Sequence, residues 1–200
     1  MATIERKDLF DSAFLLENFL TEEECNEFIR QSEEKGYEEA KVSFPEGQVM
    51  AKGIRNNDRV VYKDYELAEN LFERAKPYLP EIIKGDEISR FNEMVRYYRY
   101  TPGQRFKRHK DGSYQASEDE ESRLTFLVYL NDDCEGGETT IQEDVKSDNG
   151  ARYYFGHNIK PETGTALIFP HPLWHEGSPV ISGCKYVLRF DVMHKSREAA

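Results

Sequence analysis

The chain has 200 residues, 38% hydrophobic and 12% aromatic, enough to bury one sizeable core without disulfide or metal staples. Thirty-eight acidic against 27 basic side chains give a net charge of -11, a surface that repels nucleic-acid phosphates. No stretch approaches the roughly 20 apolar residues of a membrane span, and Met1 to Asp8 carries no secretory apolar run, so a cytoplasmic protein is expected. Cys25, Cys134 and Cys184 form no Cys-x-x-Cys pair and read as buried, reduced thiols.

Thr21-Glu22-Glu23-Glu24 has the form of a capping box, and Cys25, Phe28 and Ile29 supply the apolar stripe of the helix it opens. Gly36 is placed to end that helix. Residues 41–62 read as short strands joined by polar turns. A second helix starts near Asp64, with Leu67, Ala68, Leu71, Phe72 and Ala75 on one face, and Pro77 stops it.

From Phe91 the period changes. Met94–Tyr100 alternates as a strand, and Thr101-Pro102-Gly103 turns the chain. Leu124–Leu130 is a nearly continuous apolar run, as in a buried central strand, and Thr165–Phe169 and Tyr186–Val192 are two more. In the last, Tyr186, Leu188, Phe190 and Val192 share one face, and Lys185, Val187, Arg189 and Asp191 the other. Such a strand suits a barrel wall packed on helices outside and lined with ligand contacts inside. Two acidic polar stretches, Gly112–Ser122 and Gln142–Gly150, read as loops. The first directly follows Asp111, which also suits a lid. The expected architecture is mainly β with N-terminal helices. Residues 1–90 buttress a double-sheet jelly roll over 91–195, the two parts forming one domain.

His109-Lys110-Asp111 puts an imidazole and a carboxylate at i and i+2, on one face of a strand. His175 offers the third ligand of a two-histidine, one-carboxylate triad, which leaves coordination positions open. Lys185, ten residues on, starts the last strand on the ligand-facing side and suits a carboxylate clamp. His171 and His175 are four apart, but Pro170 and Pro172 forbid the helix a zinc pair would need. His157 and His194 belong to no motif and read as surface residues.

Three separated motifs resemble those of the prolyl 4-hydroxylase-like Fe(II)/2-oxoglutarate-dependent dioxygenases. The segment Tyr100-Thr101-Pro102-Gly103-Gln104-Arg105-Phe106-Lys107-Arg108-His109-Lys110-Asp111-Gly112-Ser113 is similar to their first metal motif. Tyr129 to Thr139, with Gly136-Gly137-Glu138-Thr139, resembles the following strand and turn. His175-Glu176-Gly177-Ser178-Pro179-Val180, through Gly183 to Lys185, resembles the distal histidine and 2-oxoglutarate lysine. The resemblance implies a double-stranded β-helix core in which His109, Asp111 and His175 bind Fe(II) and Lys185 pairs with the C5 carboxylate of 2-oxoglutarate. It also implies that Tyr100 hydrogen-bonds that carboxylate and Thr139 lines the co-substrate pocket. Arg189 is the reserve carboxylate partner or a substrate contact. O2 is the second co-substrate, and ascorbate the auxiliary reductant. The implied reaction is hydroxylation of an unactivated C–H bond, of a prolyl or other residue in a protein or peptide. A free amino acid or small metabolite is the alternative substrate, and a non-catalytic metal-binding jelly roll the alternative class. Phe106 stands where many members have tyrosine, and Val187 where collagen-type enzymes carry tryptophan. With no secretory signal and no separate peptide-binding domain in view, collagen is not the expected substrate.

Overall fold

In the computed structural model, which describes residues 2–44, 47–147 and 150–197, the chain opens with the hairpin β1 (Glu5–Phe10) and β2 (Ala13–Glu17). Thr21 then caps α1 (Glu22–Lys35): its hydroxyl accepts from the Glu24 N–H at 3.2 Å, and the Glu24 carboxylate accepts from the Thr21 N–H at 2.9 Å. Short strands β3 (Glu38–Glu39), β4 (Val42–Phe44) and β5 (Gly47–Val49) lead to β6 (Asp58–Lys63). Asp64 caps α2 (Tyr65–Ala75), and a 3-10 turn containing Pro77 ends it. There follow β7 (Ile82–Ile83), β8 (Asp86–Phe91), β9 (Met94–Tyr100), β10 (Phe106–His109), β11 (Glu120–Tyr129), β12 (Glu135–Gly136) and β13 (Thr139–Lys146). The chain closes with β14 (Arg152–Ile159), β15 (Ala166–Pro170), β16 (His175–Gly177), β17 (Val180–Ser182) and β18 (Lys185–Ser196). No described helix is long and apolar enough to cross a membrane.

Ten strands make the major sheet, in the order β1-β2-β15-β11-β18-β9-β6-β3, with β8 beside β18 and β7 beside β8. A minor sheet, β10-β16-β13-β14, faces it. The alternation in the central strands produces two cores. Leu124, Phe126, Val128, Leu188, Phe190 and Val192 point outward, where Leu71 and Phe72 of α2 and Cys25 of α1 join their cluster. Tyr98, Tyr100, Tyr129, Ile141, Phe169 and Val187 belong to the inner cluster, between the sheets. The jelly roll is thus closed by one helical layer on the outside of the major sheet and open to ligands between the sheets.

Several segments differ from the sequence reading. Gln142–Lys146, read as acidic loop, is strand: β13 pairs with β14 from Thr139↔Ile159 to Lys146↔Arg152. Its charges are tolerated because the hairpin is exposed there, with Glu143 beside His157 at 2.9 Å and Asp144 beside Arg152 at 3.8 Å. Glu120, Glu121 and Ser122 belong to β11 rather than to the preceding loop. His194 is fully buried, not at the surface, because β18 runs on to Ser196 and sets it between Glu121 of β11 and Ile88 of β8. His157 is half-buried. All three cysteines are free, and only Cys25 is buried.

Candidate metal centre

β10 and β16 run antiparallel with His109 opposite His175, their ring centroids 4.1 Å apart. Asp111 lies two residues past the end of β10, in irregular chain. Its backbone is held there by the Asp111 N–H, which donates to the His171 carbonyl at 3.1 Å. Oδ1 of Asp111 is then 3.7 Å from His109 Nε2, and Oδ2 is 3.6 Å from His175 Nε2. One ligand atom from each of the three residues lies within 4.8 Å of the others.

Both imidazoles are held in the tautomer a metal needs. His109 Nδ1 donates to the Lys107 carbonyl at 2.7 Å, and His175 Nδ1 to the Leu173 carbonyl at 3.0 Å. A carbonyl can only accept, so each Nδ1 carries the hydrogen and each Nε2 keeps its lone pair for the ion. Burial, then the neighbouring His175, pushes the His109 pKa down to about 3. Burial opposes ionisation of Asp111, but Arg189 and the two histidines hold its carboxyl well below the usual range. At neutral pH His109 is therefore neutral and Asp111 ionised. With its tautomers fixed and no thiolate among the ligands, the donor set fits a divalent ion such as Fe(II).

The carboxylate is oriented from behind. Thr125 donates its hydroxyl to Asp111 Oδ2 at 2.5 Å, and Arg189 Nη2 lies 3.2 Å from the same oxygen. Arg189 also donates to Asp191 at 2.9 Å, and Arg96 binds the other oxygen of Asp191 at 2.9 Å. Arg189, read from the sequence as a reserve carboxylate partner or a substrate contact, lines the cavity with its guanidinium engaged by Asp111 and Asp191. Asp191 lies on the ligand-facing side that the alternation of β18 predicts, whereas Thr125 belongs to no motif. A lone inward threonine in the apolar run of β11 was the available signal, and β11 pairs it with Asp191 of β18.

Lys185 begins β18 opposite Tyr100 of β9 and is 4% exposed. Its ammonium donates to the Gly137 carbonyl at 2.5 Å and stands 5.4 and 5.3 Å from the Tyr100 and Tyr129 ring centroids. Among the described residues no carboxylate pairs with it, and burial pushes its pKa down to about 8. A buried cation without a counter-ion is a seat for one supplied by a ligand. The two glycines of the turn make the seat possible. A Cβ on Gly137 (φ 71°) would come within 3.1 Å of Lys185 Cδ, and one on Gly136 (φ 75°) within 2.5 Å of the Pro179 carbonyl oxygen. Tyr100 and Thr139 line the same cavity as Lys185 and the three ligating residues, so the structure brings every sequence-selected side chain to one place.

Residues 95–190 match the family model of the 2OG-Fe(II) oxygenase superfamily. Prolyl 4-hydroxylase 1 of Arabidopsis thaliana is 26% identical over 196 residues, a match covering 86% of this chain and 65% of that protein. Probable prolyl 4-hydroxylase 6 of the same plant is 28% identical over 207 residues, covering 87% and 66%. The chain thus spans just under two thirds of the length of these relatives. Two solved structures share the fold. The viral collagen prolyl hydroxylase of Paramecium Bursaria Chlorella virus-1, in complex with 2OG, superposes with a TM-score of 0.60 at 22% identity, covering 92% of this chain and 96% of that one. A Trichoplax adhaerens prolyl hydroxylase, in complex with a hypoxia inducible factor peptide, gives 0.64 at 18% identity, covering 90% and 83%. The facing major and minor sheets are accordingly a double-stranded β-helix.

Proposed function

We propose, from the match of residues 95–190 to the family model of the 2OG-Fe(II) oxygenase superfamily, that this chain is an Fe(II)- and 2-oxoglutarate-dependent dioxygenase. Its reaction is hydroxylation of an unactivated C–H bond of a prolyl residue in a protein or peptide, with release of succinate and CO2. The observation that carries the reading is the conjunction of two features in one cavity. One is a ligand set of two tautomer-fixed histidines and an ionised aspartate; the other is a buried lysine with no carboxylate of its own.

In this reading His109, Asp111 and His175 hold the iron, and bound iron with 2-oxoglutarate and O2 supplies the oxidising power that replaces C–H by C–OH. The chain's own residues do the positioning. The Lys107 and Leu173 carbonyls aim the two Nε2 atoms, and Thr125 and Arg189 aim the Asp111 carboxylate. Lys185 holds the far carboxylate of 2-oxoglutarate in a charge-assisted bond, and Tyr100 and Thr139 border that carboxylate's seat. Leu127, Phe169 and Val187 wall the cavity with apolar surface, which keeps bulk water from the reacting centre. The free thiols suit a reducing, cytoplasmic setting in which the iron stays ferrous.

Anaerobic Fe(II) binding and O2-dependent succinate release test the proposal together. Wild type binds one iron and releases succinate from 2-oxoglutarate, and Asp111→Ala does neither while its circular dichroism is preserved. Near-wild-type succinate release by that variant refutes the triad.

A further inference from the structure

The metal cavity continues into a second, outer chamber. Both are bordered by Tyr98, Phe106, His109, Asp111 and Arg189, but Lys185 lines only the inner chamber and Arg55 only the outer. The outer wall is strongly basic: Lys41, Arg55, Arg59, Arg96 and Lys110 contribute to it, against Asp111 and Asp191. This is an unusual concentration in a chain whose net charge is -11. Arg96 is committed to Asp191, as Arg189 is to both aspartates.

Arg55 is committed to no carboxylate among the described residues. It is 6% exposed, and its Nε donates to Asn57 Oδ1 at 2.6 Å, Asn57 being itself fully buried. Its guanidinium carbon lies 4.5 Å from both the Tyr98 and the Phe106 ring centroids, so two aromatic faces fix the plane of the fork. Phe106 is stacked on the His109 imidazole at 3.4 Å, which ties this guanidinium to the ligating residues through one ring. Nη2 of Arg55 is buried with no hydrogen-bond partner. A pre-oriented, desolvated donor left without an acceptor costs stability unless something else supplies one. The same arginines bear on Tyr98: burial raises its phenol pKa, yet Arg189, Arg55 and Arg96 together bring it below the ordinary value.

We infer that the outer chamber receives the substrate by a carboxylate, held by Arg55, so that the C–H bond to be hydroxylated lies a few bonds from an acidic group. This rests on the oxygenase reading above and assigns its substrate class. Two sources share this chemistry: an acidic side chain flanking the target residue in a peptide, and a free carboxylate at a chain end or on a free amino acid. The basic lining of the chamber favours a carboxylate from either source.

The test is equilibrium binding to protein loaded with redox-inert Zn(II) and saturating 2-oxoglutarate. The probes are three pools of N-acetylated pentapeptides centred on proline: acidic flanks (Glu, Asp) with a C-terminal amide, neutral flanks (Gln, Asn) with a C-terminal amide, and neutral flanks with a free C-terminus. Wild type is expected to bind at least one carboxylate-bearing pool about ten-fold or more tighter than the neutral amide pool. Which pool that is identifies the source. Arg55→Gln is expected to lose that preference, and Arg55→Lys, which keeps the charge without the fork, to keep part of it. Equal binding of all three pools by wild type overturns the inference and needs no variant to do so. A preference that survives in a folded Arg55→Gln, checked by its melting curve, overturns the assignment to Arg55. Failure of the oxygenase reading shows separately, as absence of O2-dependent succinate release from iron-loaded wild type, whatever the peptides do.

Discussion

Replacing Lys185 with methionine separates what the side chain does for function from what it does to stability. Without ligand, its ammonium is buried under two tyrosines with a single carbonyl acceptor, and its pKa falls from 10.5 to about 8. At 1.36 kcal/mol per pH unit, that displacement corresponds to roughly 3 kcal/mol of unfavourable burial. The unfolded chain titrates this lysine at 10.5 and the folded one at about 8. The folded protein therefore bears the full cost below pH 8, and this group's contribution to stability rises between about pH 8 and 10.5. Methionine is unbranched like the lysine stem and brings no charge. It forfeits the bond to the Gly137 carbonyl, worth about 1 kcal/mol. Lys185→Met should therefore be more stable than wild type by about 1–2 kcal/mol at pH 7, a rise in melting temperature of roughly 2–8 °C for a chain of this size.

The order reverses when 2-oxoglutarate is added. The ligand supplies wild type with the missing carboxylate, and at a hundred times its Kd it should add about 2.7 kcal/mol. Lys185→Met should need roughly 30-fold more 2-oxoglutarate, or beyond, for the same response, while iron still binds. Thermal unfolding of the Zn(II)-loaded proteins across a 2-oxoglutarate titration measures both halves. A variant that melts below wild type without ligand, yet responds equally to 2-oxoglutarate, refutes the assignment of Lys185 as a cation reserved for that carboxylate.

Arg189→Gln should lower stability by about 3 kcal/mol, because it leaves two buried aspartates short of a partner, and should weaken metal binding. Melting curves and Fe(II) titration check this, and a loss confined to 2-oxoglutarate affinity would restore the role the sequence suggested for this arginine. In the segment after Asp111, a glutamate-specific protease should cut at Glu118 before Glu120 or Glu121. The latter two are held in β11, Glu120 by Arg90 at 2.9 Å. If this segment closes over the site, adding metal, 2-oxoglutarate and substrate protects Glu118; mass spectrometry of the fragments decides, and an unchanged cutting rate in every state marks an ordinary solvated loop.

What the sequence made legible was local. The capping box at Thr21, the alternation of β9 and β18 and the Gly136-Gly137 turn depend on neighbours a few residues apart, and each formed as its spacing dictates. His109, Asp111, His175 and Lys185 were readable because their motifs carry the chemistry in short strings. What sequence could not supply was register. The orientation of Asp111 depends on Thr125 and Arg189, and β11 must lie beside β18 for these to meet behind it. His194 looks unremarkable until β8 and β11 cover it from both sides. The acidic stretch in β13 misled because charge was taken as a mark of a loop, whereas the β13–β14 hairpin exposes enough of its surface to carry charged strand residues. Arg55 lies in a stretch without periodicity, 54 residues before His109 in sequence. It meets the ligating residues only when its segment bridges to β10, where Phe106 lies against both Arg55 and His109.

The distribution of charge around the iron site separates its cations into two kinds. Arg189 and Arg96 are spent on Asp111 and Asp191, and their work is to fix a metal ligand. Lys185 and Arg55 are equally buried, yet neither pairs with a carboxylate among the described residues. In a chain with 38 acidic side chains, a shortage of counter-ions does not explain that difference. Burying a cation without an anion is among the more destabilising arrangements a fold can carry, and it persists where a ligand repays it. One such cation borders the inner chamber alone and the other the outer chamber alone, with the metal ligands between them. On the oxygenase reading proposed above, the arrangement offers the two sides of one centre to two different carboxylates, the co-substrate's at Lys185 and the substrate's at Arg55.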